Sequence, residues 1–291
     1  MGQRMDEAIT RYQEIQQKNL LGGGVKHIER QHGRGKLTAR ERIDRLIDPG
    51  TFSELGSCVG STGMRLDGRR TDAPCDGAVT GTAEVHGRRV MVYASDFTVL
   101  GGSTALQHFF KFSRCVELAA RWGIPMVNLL DSSGGRLGHI DAVAAGIEWQ
   151  FRIISKYSGV IPQITVLMGP CIAGGAYIPT LCDFLLISRV SGYMWLGGPR
   201  QTAAATSEKI DENIGGADYH MQLSGTCDMV GDDDQETIAK CRQLLRYLPQ
   251  NWRETPPSWE TTDDPARQVD TLTTIVPDDF DQTYDMHEVI E

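Results

Sequence analysis

Two stretches of the sequence stop an apolar run at a cluster of small residues. Residues 128–136 read Asn-Leu-Leu-Asp-Ser-Ser-Gly-Gly-Arg, and residues 166–177 read Val-Leu-Met-Gly-Pro-Cys-Ile-Ala-Gly-Gly-Ala-Tyr. In each, a buried strand is predicted to turn at glycine into a helix, which leaves backbone N–H groups unpaired at the start of that helix. Such groups hold an oxyanion without a charged side chain. The two stretches therefore predict a site built from backbone that acts on a thioester or a phosphate.

Around these stretches, strands and helices alternate. A helix is predicted before the glycines at 22–24, and a second helix begins at Thr38, which forms a capping box with Glu41. Residues 79–85 and 90–93 predict a hairpin, and Ser103 is predicted to cap the next helix. Further strands are predicted at 126–130, 164–168 and 184–187, and a last helix ends at Pro249. This order predicts an α/β fold with repeated β-β-α units.

The composition excludes several classes of protein. The net charge of −9 over 291 residues argues against nucleic-acid binding. Seven widely spaced cysteines without a Cys-x-x-Cys pair indicate reduced thiols, and no metal site is predicted. The polar first residues and the lack of about 18 consecutive apolar residues predict neither a signal peptide nor membrane insertion. These features favour the cytoplasm or an organelle matrix.

The first glycine turn, Ser133-Gly134-Gly135, has three interpretations. It can be a tight turn that needs glycine for positive φ, or a set of anion-binding N–H groups. A nucleophilic Ser132 or Ser133 is the third interpretation, but the Gly-x-Ser-x-Gly pattern is absent and no acid–base partner is identifiable. The second turn, Gly174-Gly175, has the same two backbone interpretations, and its pairing with the first favours anion binding.

Three other groups are candidates for ligand binding. Arg136 could pair with a phosphate or carboxylate, or form an ion pair within the protein. Gly101 and Gly102 could line a ligand cleft or simply open a helix. The basic segment 26–36 stands out in an acidic protein and could meet the phosphates of a nucleotide-like ligand or be a solvated loop; its cations are Lys26, Arg30, Arg34 and Lys36.

Long segments of the chain resemble the carboxyltransferase (β) subunit of biotin-dependent acyl-CoA carboxylases, the propionyl-CoA and methylcrotonyl-CoA carboxylase family. They include GKLTARERIDRLIDPGTFSELG from Gly35, DGAVTGTAEVHGRRVMVYASDFTVLGGS from Asp76 and IPQITVLMGPCIAGGAYIPTLCDF from Ile161. The DSSGGR turn, GGADYHMQLSGTCD from Gly215 and LLRYLPQN from Leu244 complete the match.

The resemblance implies a crotonase-like (ClpP/crotonase) α/β fold, a spiral of β-β-α repeats with a helical N-terminal extension. It implies three regions: the helical extension at 1–50, a carboxyltransferase N-domain at 51–250, and a connector at 251–291 toward a C-domain that this chain lacks. The last residues, 286–291, resemble the start of that second domain. The chain would then be a natural split subunit or a fragment.

The resemblance also implies a mechanism. Backbone donors polarise the thioester of an acyl-CoA, and the resulting enolate attacks CO2 released from carboxybiotin, whose biotin takes the proton. By position, Ser133, Gly134 and Gly135 match the oxyanion loop, although the family commonly reads Asp-Ser-Gly-Gly-Ala-Arg and Ser133 stands at an expected glycine. The substrate-binding residues would be Gly101, Gly102, Arg136, Gly174, Gly175, Ala176 and Lys36.

The implied partners are a C-domain carboxyltransferase chain, a biotin carboxylase and a carrier protein that bears the biotin. A homo- or hetero-oligomer is expected, a trimer of dimers in the family. Two other functions stay open: a biotin-dependent acyl-CoA decarboxylase, which runs the reaction in reverse, and a non-catalytic CoA-binding or assembly subunit.

Overall fold

The computed structural model describes residues 2–61, 68, 71–136, 138, 140–211, 213–262 and 264–290. The chain forms two compact units, Met1–Pro257 and Ser258–Glu291. The second unit has two short helices of four residues each. The first unit contains the sheets, the long helices and every candidate site residue.

The strands of the first unit form two sheets. They are β1 (Ser53–Leu55), β2 (Ala78–Val85), β3 (Arg88–Ser95), β4 (Met126–Leu130), β5 (Gln163–Leu167), β6 (Pro170–Ile172), β7 (Phe184–Ser188), β8 (Tyr193–Trp195) and β9 (Met229–Gly231). The main sheet has the order β1-β2-β3-β4-β5-β7-β9, antiparallel from β1 to β3 and parallel from β3 to β9. A parallel pair, β6 and β8, forms the second sheet.

The helices of this unit are α1 (Gly2–Leu20), α2 (Val25–His32), α3 (Ala39–Leu46), α4 (Leu106–Trp122), α5 (Ile140–Lys156), α6 (Tyr177–Leu181), α7 (Pro199–Thr206), α8 (Ala217–Gln222) and α9 (Asp234–Tyr247). Two strands followed by a helix occur as β2-β3-α4, β5-β6-α6 and β7-β8-α7, whereas β4 leads to α5 alone. Strand β9 likewise leads to α9 alone, so the predicted β-β-α repeat is present with two shortened units.

Both faces of the main sheet are buried, as a parallel sheet requires. Alternate residues of β3 point to opposite faces: Met91 and Tyr93 pack with α4, α5 and the second sheet, while Val90 and Val92 pack with α3 and α9. Helix α3 lies within residues 1–50, so that predicted extension supplies part of the core of the first unit.

The structure contains the hairpin and the capping box that the sequence predicts. The hairpin pairs Ala78–Val85 with Arg88–Ser95, and its turn residues have φ of 55° at His86 and 70° at Gly87, as a type I′ turn demands. The Thr38 and Glu41 capping box is present at α3. Among the described residues, we find no helix with both the length and the hydrophobicity of a membrane span.

The prediction that Ser103 caps α4 is wrong. Helix α4 begins at Leu106 after Ala105, which offers no side-chain cap. The Asp76 carboxylate instead accepts the N–H of His108 at 2.9 Å. A carboxylate at a helix start is favoured by the helix dipole, so a residue distant in sequence takes the capping role.

Candidate functional site

Three loops meet where β3, β4 and β5 end, at residues 99–104, 131–136 and 169–176. Ser133 N–H donates to Gly101 O at 2.9 Å, and Thr104 N–H donates to Gly134 O at 2.9 Å. Ser132 N–H donates to Pro170 O at 2.9 Å, which ties the second loop to the third. Ligands of α/β proteins bind at the carboxyl ends of the parallel strands, so this junction is the candidate site.

The close approach of these loops depends on glycine at two positions. A Cβ atom on Gly102 would lie 2.2 Å from Asp131 O, so any side chain there would separate the first two loops. Gly134 has a φ of 95°, which L-residues rarely adopt, and its nearest neighbour is Ile172 O, 3.7 Å from an added Cβ. The sequence therefore brings Gly101, Gly102 and the Ser133–Gly135 turn together as predicted.

The turn at 133–135 has fewer unpaired donors than predicted. Ser133 N–H is bonded to Gly101 O, and Gly134 N–H donates to Ser132 Oγ at 3.2 Å. Gly135 lies opposite Thr104 in a parallel bridge whose hydrogen bonds belong to its two neighbours, Gly134 O and Arg136 N. The Gly135 N–H therefore points away from Thr104, and no acceptor for it occurs in the described part of the chain. Gly135 is exposed, so this donor can reach a ligand.

The turn is also not a helix start, contrary to prediction. Helix α5 begins at Ile140, five positions after Gly135. The turn is held instead by cross-loop hydrogen bonds. The nucleophile interpretation gains no support at Ser132, because its Oγ donates to Gly102 O at 2.7 Å and is buried. Ser133 is exposed, and for it the interpretation stays an untested alternative.

The second turn differs in form. Residues Ala173–Ala176 make a 3-10 turn that leads directly into α6. The first N–H groups of such a turn, those of Ala173 and Gly174, have no acceptor within it, whereas Gly175 N–H closes the turn's first i→i−3 hydrogen bond. Because Gly134 lies against Ile172, these donors are neighbours of the first turn.

Lys36 does not lie on an open basic surface. Its side chain is 8% exposed, and Nζ bonds to Asp131 at 2.7 Å. Burial lowers the pKa of the Lys36 amine, although the charge of Asp131 opposes that shift. The ammonium group of Lys36 is thus already engaged by Asp131 beneath the second loop, and the contact between Lys36 and substrate stays a prediction.

Asp131 is the centre of a larger buried charge cluster. Its carboxylate also accepts from Gln31 Nε2 at 2.8 Å and from Arg42 at 2.9 Å. Arg42, almost fully buried, also pairs with Asp234 at 2.7 Å. These side chains join α2, α3, α9 and the end of β4, so the helical N-terminal region supports the second loop from below.

Arg136 is likewise engaged within the protein. Its guanidinium forms an ion pair with Asp76 and donates to Ser103 O at 2.8 Å and to Ser103 Oγ at 3.3 Å. With 6% of the side chain exposed, it has no free edge for a phosphate or carboxylate of a ligand. The ion pair within the protein, one of the two interpretations of Arg136, is present, and a contact of Arg136 with a ligand stays a prediction.

Two exposed cations of the basic segment, Arg30 and Arg34, line a cavity. A cavity of about 600 Å³ runs from Gly22–Gly24 past His27, Arg30 and Arg34 to Gly101, and Thr98 and Val99 form part of its wall. Arg30 and Arg34 have no ion-pair partner among the residues that the structure describes. The size suits a ligand of cofactor dimensions that ends at the glycine loops.

Sequence reasoning missed the pairs that support the loops. Asp76 and Arg136 are 60 residues apart, and Arg42 and Asp234 are 192 apart. The available signal was Asp131 itself, because a lone acid at the end of a buried strand needs a basic partner. Its partners could not be chosen from the sequence.

Comparison with known proteins shows which proteins this chain is similar to. The carboxyl transferase domain family matches residues 30–291. The propionyl-CoA carboxylase beta chain of Roseobacter denitrificans is 39% identical over 289 residues, 98% of this chain and 56% of that protein. The methylmalonyl-CoA decarboxylase subunit alpha of Veillonella parvula is 37% identical, with the same coverage of 98% and 56%.

Among solved structures, the transcarboxylase 12S hexamer with methylmalonyl-coenzyme A bound superposes with a TM-score of 0.87 at 34% identity. The superposition covers 98% of this chain and 56% of the transcarboxylase 12S chain. The crotonase-like fold class is thereby confirmed. The chain spans about half the length of the relatives it matches. With most of its residues matched by the family and the fold shared throughout, the chain belongs to the carboxyl transferase domain family.

Proposed function

We propose that this chain is the acyl-CoA half of a biotin-dependent carboxyltransferase. It would transfer a carboxyl group between carboxybiotin and the α-carbon, or the vinylogous γ-carbon, of an acyl-CoA through an enolate. The observation that carries the proposal is the meeting of two glycine turns, of which the first has a Gly135 N–H with no acceptor among the described residues and the second has a Gly174 N–H with no acceptor within its own turn. Membership of the family supports the reaction class.

In the proposed reaction, the thioester oxygen accepts a hydrogen bond from Gly135 N–H. Negative charge moves onto that oxygen when the α-carbon loses its proton. A donor already fixed in place stabilises this charge without reorganisation, and the loss of one such donor typically costs about 3 kcal/mol. Gly174 and Gly175, with Ala176, would form the adjoining wall, and Ser133 would narrow the approach beside Gly101.

The carboxylate of the three loops, Asp131, is buried and paired with Lys36 and Arg42, and their other described residues offer no general base. His108, in the first turn of α4, is fully buried, burial lowers its pKa to about 4, and its ring nitrogens contact Tyr93 Oη and Asp76 O. The α-proton therefore needs an acceptor from outside these loops. Carboxybiotin on a carrier protein would supply the carboxyl group and such an acceptor, and we assign it no contact with this chain.

The basic cavity would bind the phosphates of coenzyme A through Arg30 and Arg34. Substitution of either arginine by alanine should raise the KM for acyl-CoA about 5-fold and leave kcat unchanged, the effect of losing about 1 kcal/mol of uniform binding. Lys26→Ala is the matched control, since Lys26 is not among the residues that line this cavity. An equal change in all three variants would contradict the assignment.

We further propose that activity needs the region that corresponds to the other half of the relatives. That region would supply a second pair of oxyanion donors and the biotin pocket, either in the same polypeptide or in a partner chain. A biotin carboxylase and a biotin carrier would complete the enzyme, and a hexamer built as a trimer of dimers is expected by analogy with the hexamer of transcarboxylase 12S.

Decarboxylation is the second candidate, because one relative of similar identity is a methylmalonyl-CoA decarboxylase subunit. Both directions pass through the same enolate, so the described site serves either. A non-catalytic role in CoA binding is the third candidate. The assay below separates the three.

The test uses the full-length protein or its complex with the other half, a biotin carrier and a panel of acyl-CoA and carboxyacyl-CoA thioesters. Transfer of labelled carboxyl from carboxybiotin to acyl-CoA supports a carboxylase, and faster transfer from carboxyacyl-CoA to biotin supports the decarboxylase. Turnover that survives Gly134→Trp unchanged would favour the non-catalytic role. Robust turnover by residues 1–291 alone with free biotin would refute the need for the other half.

A further inference from the structure

A buried ion pair lies behind the first two glycine loops. Asp76 is fully buried, and its carboxylate pairs with the guanidinium of Arg136. Arg136 directly follows Gly135, the residue with the unpaired N–H. Because both charges are removed from water, this pair is retained at a high desolvation cost and is stable only with well-placed hydrogen bonds.

The backbone of Asp76 is strained. Cys75, Asp76 and Gly77 have φ of 51°, 52° and 72°, three consecutive residues in the left-handed region. Each of the two that carry a side chain costs about 1–2 kcal/mol there. Such strain persists only where surrounding contacts over-determine it, and it concentrates at functional positions.

The two carboxylate oxygens of Asp76 serve two loops. Oδ2 accepts the His108 N–H near the start of α4, the helix that follows the 99–104 loop. Oδ1 accepts from Arg136 NH1, at the end of the 131–136 loop. One side chain therefore sets the distance between the start of α4 and the residue that follows Gly135.

Arg136 completes the connection from the other side. Its NH2 group donates to Ser103 O at 2.8 Å, and its backbone N–H donates to Thr104 O at 2.8 Å. Thr104 N–H in turn donates to Gly134 O. The peptide between Gly134 and Gly135, which carries the unpaired N–H, is thus fixed through Arg136 and Thr104.

We propose that Asp76 is a positioning residue for the backbone donor at Gly135 and acts through Arg136. This inference rests on the proposed function for its catalytic consequence, but its structural content stands apart from it. Asp76 touches neither substrate nor reacting atoms in the proposed reaction. Its loss should therefore impair transition-state stabilisation and leave acyl-CoA binding at the basic cavity intact.

The first test is Asp76→Asn in the full-length protein or complex. We expect kcat to fall by about 10²-fold, the usual result of a displacement near 1 Å at a reacting centre, and KM for acyl-CoA to change less than 2-fold. Asp232→Asn is the control, because Asp232 is exposed, pairs with Arg189 and does not line the basic cavity. A kcat within 2-fold of wild type for Asp76→Asn would overturn the proposal.

Arg136→Lys is the second variant and guards against simple unfolding. It keeps a cation opposite Asp76, so no buried charge is left uncompensated, yet it loses the forked contacts to Ser103. The same split between kcat and KM is expected, with an unchanged unfolding transition. A parallel loss of kcat and acyl-CoA binding would indicate a general structural role and overturn the proposal.

Amide hydrogen exchange provides a readout that does not depend on turnover. In both variants, peptides that cover 101–105 and 131–136 should exchange at least 10-fold faster, while those of the strands keep their protection. Unchanged exchange in these two segments would overturn the positioning role even if kcat falls. Inactive wild-type enzyme with the expected exchange result would instead refute the proposed function alone.

Discussion

The two glycine turns share a sequence pattern but differ in how they are held. The turn at 133–135 rests on charge: Asp131 beneath it pairs with Lys36 and Arg42, and Arg136 after it pairs with Asp76. The turn at 174–175 rests on apolar side chains, with Ile147 and Cys171 as its nearest neighbours. A similar backbone feature can therefore be stabilised by ion pairs or by packing, and the two supports should fail under different perturbations.

The largest expected effect is on the charged support. Asp131→Asn should lower the free energy of unfolding by about 3–5 kcal/mol, because it leaves Lys36 buried without its counter-charge. Urea unfolding followed by circular dichroism measures the change. Asp232→Asn, which removes an exposed partner of Arg189, is the control and should cost less than about 1 kcal/mol. Equal losses in the two variants would show that the cluster is not a support.

The next effect isolates the donor of the charged turn. Gly135→Pro removes the N–H and should lower kcat by about 10²–10³-fold. Gly135→Ala keeps the N–H but introduces the same Cβ, which would lie 2.9 Å from Val143 Cγ1, and so reports the cost of bulk alone. Steady-state turnover of the assembled enzyme measures both. If the two variants lose equal activity, crowding and not the donor is responsible.

Acid should separate the two supports. Burial lowers the pKa of His108, behind the charged turn, from 6.5 to about 4, whereas burial raises that of Cys171, beneath the other turn, to about 12. Between pH 6.5 and about pH 4, His108 is therefore protonated in the unfolded chain and neutral in the folded chain. Stability contributed by the neutral imidazole is full above about pH 6.5 and falls by about 3 kcal/mol as the pH drops to about 4.

Unfolding measured in urea at pH 7 and at pH 4.5 tests this effect, with His108→Gln as the variant. The variant should lose less stability on acidification than the wild type. An identical pH dependence in both proteins would show that other groups cause the acid sensitivity.

The smallest effects distinguish backbone strain from crowding. Gly174→Ala places a Cβ 2.6 Å from Ile147 Cδ1, so it should cost about 1 kcal/mol and be relieved by Ile147→Val. Gly134→Ala has space, but its φ of 95° should cost about 1–2 kcal/mol that no trimmed neighbour restores. Thermal unfolding of the single and double variants measures this. Relief of Gly134→Ala by Ile147→Val would contradict the distinction.

Features that depend on neighbours in sequence could be predicted. The capping box at Thr38 joins residues three apart, and the hairpin turn at His86 and Gly87 joins adjacent strands. Ser103 failed as a cap because Asp76, 32 residues before His108, competes for the same helix start. A local pattern cannot reveal that competitor.

The site was predicted only in part. The sequence placed Gly101, Gly102, Gly134 and Gly174 in turns, because glycine marks the end of each apolar run. It did not show that Ser133 N–H is consumed by Gly101 O, nor that Lys36 and Arg136 face Asp131 and Asp76 instead of a ligand. Charged residues near a glycine turn look the same in sequence whether they meet a substrate or each other.

The alternation of strands and helices and the positions of the two glycine turns could be predicted from the sequence, because short-range periodicity and turn chemistry are local properties of the chain. The family was indicated there by the resemblance of long segments. Which N–H groups stay unpaired and which cations are neutralised became visible only in the folded chain. That choice depends on the packing of segments up to 192 residues apart, where burial forces each charge to find a partner and leaves Gly135 N–H unpaired within the described chain.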